Sequence, residues 1–154
     1  MNPPRTPAER RCLSGLEAQT MAGQRILVAA HPVGKHRLEK VLAGYELMFV
    51  ATLDEARRVL GGERFCCLVL GVQFDESRML RLLDHVRSEK HLPTPVVCVV
   101  GIKGKLSSTA LDAFDKAARA LGAREVLDVT SFPDDEQGNR ALRAAVDRFI
   151  PASL

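Results

Sequence analysis

FCCLVLGVQFDESRMLRLLDHVR, residues 65–87, sets an unbroken apolar run directly against a stretch of helical period. Phe65–Leu70 carries no charge, so a strand formed here has both faces covered, the condition of a parallel sheet lying between two helical layers. From Ser77 to Glu89, Leu80, Leu83 and Val86 recur every third residue and give an amphipathic helix its buried stripe. A strand feeding straight into a helix is the repeating unit of an α/β fold, and the rest of the chain repeats it.

Toward the amino terminus, Arg25–Ala30 reads as a first strand, followed by a helix near Lys35–Leu42 with Leu38, Val41 and Leu42 on one side. Glu46–Ala51 is a second strand. Thr52 and Glu55 then form a capping box for a helix burying Leu53, Ala56, Val59 and Leu60, with Gly61 and Gly62 as its stop. Toward the carboxyl terminus, Pro93 and Pro95 turn the chain into a strand at Val96–Val100. The basic, glycine-containing loop GIKGKLSS, residues 101–108, leads through a Ser107 or Ser108 cap into a helix ending near Leu121. A strand at Glu125–Val129 follows. Asp134 or Asp135 then introduces a final helix with Leu142, Val146, Phe149 and Ile150 on its apolar face, ended by Pro151. Five such units predict a three-layer, doubly wound α/β domain with five parallel strands.

A chain of 154 residues suits one domain, assigned here to residues 24–151. Residues 1–23, with Pro3, Pro4, Pro7 and a weakly helical stretch from Leu13 to Met21, are expected to form a flexible extension. With 46% hydrophobic and 27% charged residues, no membrane-length apolar run and no secretory leader pattern, the expected setting is the cytoplasm, away from membranes. Cys12, Cys66, Cys67 and Cys98 form no CxxC pair; three fall in expected strands and read as reduced, structural thiols. A net charge of +3, one Tyr and no Trp argue against nucleic-acid binding.

Ligands of open α/β sheets collect at the carboxyl ends of the strands. Here those ends carry Ala30, His31, Gly71, Val100 and Gly101, with no acid and no hydroxyl among them. HPVGKHR, residues 31–37, lies where phosphate could bind, but Ala29 and His36 stand at the first glycine and the hydroxyl positions of a P-loop. No GxGxxG follows the first strand. The histidines, His31, His36, His85 and His91, lack zinc spacing and read as surface residues, with His31 projecting into the crevice. Asp75 and Asp128 read as solvated or capping carboxylates, and Ser107 and Ser108 as helix caps rather than nucleophiles. No metal, cofactor or catalytic group is expected.

The segment 65–87, together with TPVVCVV at residues 94–100 and ALGAREVLDV at residues 120–129, resembles the receiver domain of two-component response regulators over about residues 25–150. The resemblance implies a flavodoxin-like receiver fold with the strand order 2-1-3-4-5, in which acidic residues hold Mg²⁺ and one aspartate accepts a phosphoryl group. The corresponding positions here are Ala30 and His31 for the acidic pair, Gly71 for the phosphoacceptor, Val100 for the switch hydroxyl and Val129 for the lysine. None supplies that chemistry. The resemblance therefore implies a pseudo-receiver, a signalling module outside phosphotransfer that acts by binding a protein partner or itself. Its last two helices and last strand are the implied partner or homodimer face, with Leu111, Phe114, Ala118 and Arg143 as candidates. The fourth helix, with Leu111, Phe114, Ala117, Ala118 and Leu121, is apolar over a wide arc. Either part of it is exposed, or Phe114 and Leu121 pack inward and Leu111 alone remains at the surface. The alternative function is a small-ligand or anion sensor using His31, Lys35, Lys103 and Lys105.

Overall fold

The computed structural model describes residues 24–101 and 106–150. Strands β1 (Arg25–Ala29), β2 (Glu46–Val50), β3 (Cys67–Gly71), β4 (Val96–Val100) and β5 (Glu125–Asp128) make one parallel sheet in the order β2-β1-β3-β4-β5. The described helices are α1 (Lys35–Val41), α2 (Leu53–Gly62), α3 (Met79–Asp84), α4 (Ser108–Ala120) and α5 (Glu136–Asp147). The doubly wound architecture expected from the sequence is the one observed.

Alternation along the strands divides the core into two layers. Leu27, Ala29, Leu68, Leu70, Val96 and Cys98 face α2, α3 and α4, where they meet Ala56, Leu60, Leu82, Leu83 and Ala118. Ile26, Val28, Cys67, Val69, Val97 and Val99 face α1 and α5, against Leu38, Val41, Leu142 and Val146. Each such buried aliphatic side chain is stabilising by about 1.5–3 kcal/mol relative to its exposed form. The central strands β3 and β4 are buried along their whole length, so their carboxyl ends are held rigidly.

Caps set the helix starts. Thr52 Oγ1 accepts from the Glu55 N–H at α2, Ser107 Oγ from the Ala110 N–H at α4, and Asp135 Oδ1 from the Gly138 N–H at α5. α2 ends at Gly61 and Gly62, where the sequence placed its stop. They complete its last turn, and the chain leaves the helix at Glu63, whose extended backbone cannot continue it. The third strand shifts. Phe65 lies outside the ladder beneath the Arg25 guanidinium, 5.2 Å from its ring centroid, while pairing runs from Cys67 through Gly71, opposite Val99.

The third helix departs most from expectation. Ser77 is not in it: Asp75, Glu76 and Ser77 hold φ of +44°, +55° and +68°, and the helix begins at Met79. After Asp84 the chain widens into a π-helical turn, His85–Glu89, whose first carbonyl accepts from the Lys90 N–H at 2.9 Å. β5 ends one residue early, because Val129 opens a 3-10 turn over Val129–Ser131. No described helix is long and apolar enough to cross a membrane. The extension expected at residues 1–23, Cys12, Lys103, Lys105 and the Pro151 stop lie outside the described residues.

Candidate functional site

The carboxyl ends of β1 and β3 lie close together. A Cβ placed on Gly71 would stand 3.2 Å from Ala30 Cβ and 3.3 Å from Ala30 Cα, tighter than ordinary van der Waals contact. Ala30, Val100 and Val129 are all buried, so three further positions at this end belong to the core. At the β4 end, Gly101 has φ +88°, and a Cβ there would fall 2.8 Å from Thr130 Cγ2 and 2.9 Å from Asp128 Oδ1. Only glycine fits that conformation without strain.

The carboxylates nearest this end are occupied elsewhere. Asp75 Oδ2 accepts the Leu53 N–H at the start of α2 (2.7 Å), and its Oδ1 pairs with Arg78 Nη1 (3.0 Å). Asp128 Oδ1 accepts from the Thr130 N–H (2.9 Å) and from its hydroxyl (2.6 Å), closing the turn after β5. Three consecutive left-handed residues at 75–77 cost about 1–2 kcal/mol each, so the loop carrying Asp75 is strained.

Between α1 and the segment after β5 lies a hollow of about 220 Å³ lined by Val33, Gly34, Arg37, Leu38, Gly101, Val129, Thr130 and Asp134. Val33, 60% exposed at its mouth, is the one exposed large apolar side chain among the described residues. Arg37 is committed to structure. It donates to Asn139 Oδ1 (2.8 Å), Phe132 O (2.5 Å), Pro133 O (3.1 Å) and Val129 O (3.4 Å), tying α1 to the entry of α5. Asp134 is held below the usual carboxylate range by its hydrogen bond from Asn139, with Lys40 and Arg37 adding to the effect.

His31 and Lys35 have separate partners. His31 is half-buried and its Nδ1 accepts from the Val33 N–H (3.1 Å), while Lys35 Nζ lies 5.2 Å from the centroid of Phe49 in β2. No hydrogen bond joins the two. The expectation of four surface histidines fails at His85, which is 8% exposed with Nδ1 2.8 Å from Glu89 Oε2 and a buried, unpartnered Nε2. His85 lies one helical turn after buried Leu82, at the margin of the buried stripe.

On α4, Phe114 and Leu121 pack against the core and Ala118 is fully buried, leaving Leu111 half-buried at the surface. Leu111 lines a hollow of about 300 Å³ with Ser108, Asp112, Asp115, Arg119, Val126 and Asp128. Arg143 is not part of this face. It stacks 4.6 Å from the Tyr45 ring and donates to Ala43 O (2.6 Å) and Val41 O (3.3 Å), beside α1. Sequence spacing also missed Phe74, fully buried within the loop after β3, and Arg87, which spans to Gly122 O (3.0 Å) and fixes the turn between α4 and β5. The first signal available was a lone aromatic in a turn-rich stretch; Arg87 offered none.

Burial pushes the Cys67 and Cys98 thiols up to about 12, which leaves them protonated and unreactive near neutral pH. Cys66 is half-buried and lies outside the strand expected to contain it.

No protein-family model and no curated protein matches the chain. Solved structures do. A response regulator from Thermotoga maritima superposes with a TM-score of 0.63 at 17% identity, covering 82% of this chain and 97% of that one. The receiver domain of a sensor histidine kinase from Pseudomonas aeruginosa, solved with a magnesium ion coordinated in its active-site cleft, gives 0.61 at 20% identity over 83% and 98%. A CheY-like response regulator receiver domain protein from Methanospirillum hungatei gives 0.58 at 18% identity over 81% and 91%. These likenesses establish the fold.

The residues at this end do not fit Mg²⁺, a hard cation that takes oxygen ligands. Ala30 and Gly71 offer no side-chain oxygen, His31 is engaged as a cap, and among the described residues no group of three or more His, Cys, Asp or Glu is placed to hold a metal ion.

Proposed function

We propose that this chain is a receiver-like signal-transduction module that does not accept a phosphoryl group and acts through protein contact, not as an enzyme. The observation that carries the reading is the β3 end, where Gly71 packs against Ala30. An aspartyl phosphate needs a carboxylate nucleophile and a metal-held phosphodonor, and neither has a residue here to serve it. The scaffold remains rigid while its chemistry is absent, and a rigid α/β scaffold without a site can still present a surface.

The α4–β5 face, with Leu111 beside Val126 and the Arg119–Asp115 pair, is the surface we assign to a protein partner or a second copy, in the cytoplasm. The anion-sensor alternative has less support, since His31 Nδ1 and Lys35 Nζ are already engaged apart from one another. Incubation of the full chain with acetyl phosphate and Mg²⁺, followed by intact-mass measurement, is expected to leave the mass unchanged. A stoichiometric, hydroxylamine-sensitive phosphoadduct overturns the proposal.

A further inference from the structure

The loop from Val72 to Arg78 joins a fixed root to a strained tip. Phe74 is completely buried and its N–H donates to Gly71 O (3.0 Å), so the root moves with the end of β3. Beyond it, Asp75, Glu76 and Ser77 are all left-handed, a conformation that non-glycine residues keep only where surrounding contacts impose it. At the far end the Arg78 N–H donates to Phe74 O (2.8 Å) and leads into α3. Arg78 Nη1 bridges Asp75 Oδ1 (3.0 Å) and Glu76 Oε2 (3.2 Å). Within the tip, the side chain that reaches another element is Asp75, through the Leu53 N–H of α2 (2.7 Å).

We propose that residues 75–77 are a strain-loaded strap, that Asp75 is its catch on the amino end of α2, and that release of the catch is the conformational step of this module. In the closed form described here, backbone strain is opposed by one charge-assisted hydrogen bond and the Arg78 pair. In the open form the tip relaxes out of the left-handed region, the Leu53 N–H returns to water, and the Phe74 root stays buried. Strain and catch act in opposite directions on the same few residues. Any partner that prefers one of the two forms shifts the balance by its differential affinity. The inference rests on the reading above, since a module without a phosphoryl switch needs another two-state element.

Amide hydrogen exchange on the full chain separates strap from catch. Asp75→Gly removes the carboxylate without placing a side chain on left-handed backbone; exchange at Leu53 and Arg78 is expected to rise by about tenfold or more, with the β3 and β4 amides unchanged. Ser77→Gly relieves strain and keeps the catch. It is expected to slow exchange at the same two amides and raise Tm by about 2–4 °C. An unchanged Leu53 rate in Asp75→Gly, or a rise shared by the β3 and β4 amides, overturns the proposal. So does faster exchange in Ser77→Gly, and because that variant is the more stable one it decides the matter even if Asp75→Gly does not fold. Phosphodonor labelling of the same samples keeps the two proposals apart: a phosphoadduct alongside these exchange changes removes the phosphoryl-free reading and leaves the strap standing.

Discussion

Two helices of nearly equal length flank β5 on opposite faces of the sheet, and they are held in different ways. α5 buries Gly138, Leu142 and Val146, and its polar side chains reach across the fold: Arg143 to the carbonyls of Val41 and Ala43, Asp147 to the Tyr45 hydroxyl (2.6 Å), Asn139 to Arg37. α4 has one fully buried residue, Ala118, and its ion pairs stay close in sequence, Lys116 with Asp112 and Arg119 with Asp115 and Glu125. Its carboxyl end is pinned by Arg87 through Gly122, while its amino half rests on Leu111 and Phe114, both half-buried. α5 is therefore part of the frame. α4 is held by fewer buried side chains, with its amino half partly in water.

The sharpest break of this contrast is Gly138→Ala. Its Cβ would lie 1.9 Å from Pro133 O, so the first turn of α5 must move away from the backbone it covers, and a loss of about 4 kcal/mol in denaturant unfolding is expected. An unchanged midpoint would mean that α5 is not fixed in this way. Next comes a matched pair of truncations. Leu142→Ala is expected to cost about 3 kcal/mol through its cavity, and Leu111→Ala under about 1 kcal/mol because the side chain is already partly in water. Equal losses would erase the difference between the helices. The last test is a pH dependence of the α5 tie. Burial, reinforced by the Asp147 carboxylate, pushes the Tyr45 phenol up to about 12 from an ordinary 10. A folded-state value above the unfolded one gives stability that is complete below pH 10 and is lost as pH rises toward 12. Unfolding midpoints should fall over that window, and less steeply in Tyr45→Phe.

The sheet was legible because its signal is collective: five apolar runs spaced by helical repeats give a parallel sheet, and the resemblance to receiver domains supplied the order that is observed. Caps were legible where a single side chain decides them, as at Thr52, and at Ser107 and Asp135, each one of two neighbours the sequence left open. What escaped was set by tertiary contact. Phe74 looked like a loop residue because its burial depends on α2 and α3 lying over it, and the helix start moved past Ser77 because Asp75 is drawn to α2. His85 was read as a surface residue by its type, while its place one turn after Leu82 brings it against the core. Arg143 sat on the expected face by position, but its reach to the carbonyls after α1 follows from the docking of α5. The candidate site was legible as a set of missing groups, and the contact of Gly71 with Ala30 was not, since no spacing rule states how closely two strand ends approach.

That contact also couples two positions that sequence separates by two successive helix–strand units. A side chain returned to position 71 by a single substitution meets Ala30 at 3.2 Å before it can meet any ligand. Enlarging either strand end requires the other to give by a few tenths of an ångström. The β1 and β3 ends thus act as mutual spacers: small residues at both let the two strands close against each other at the crevice.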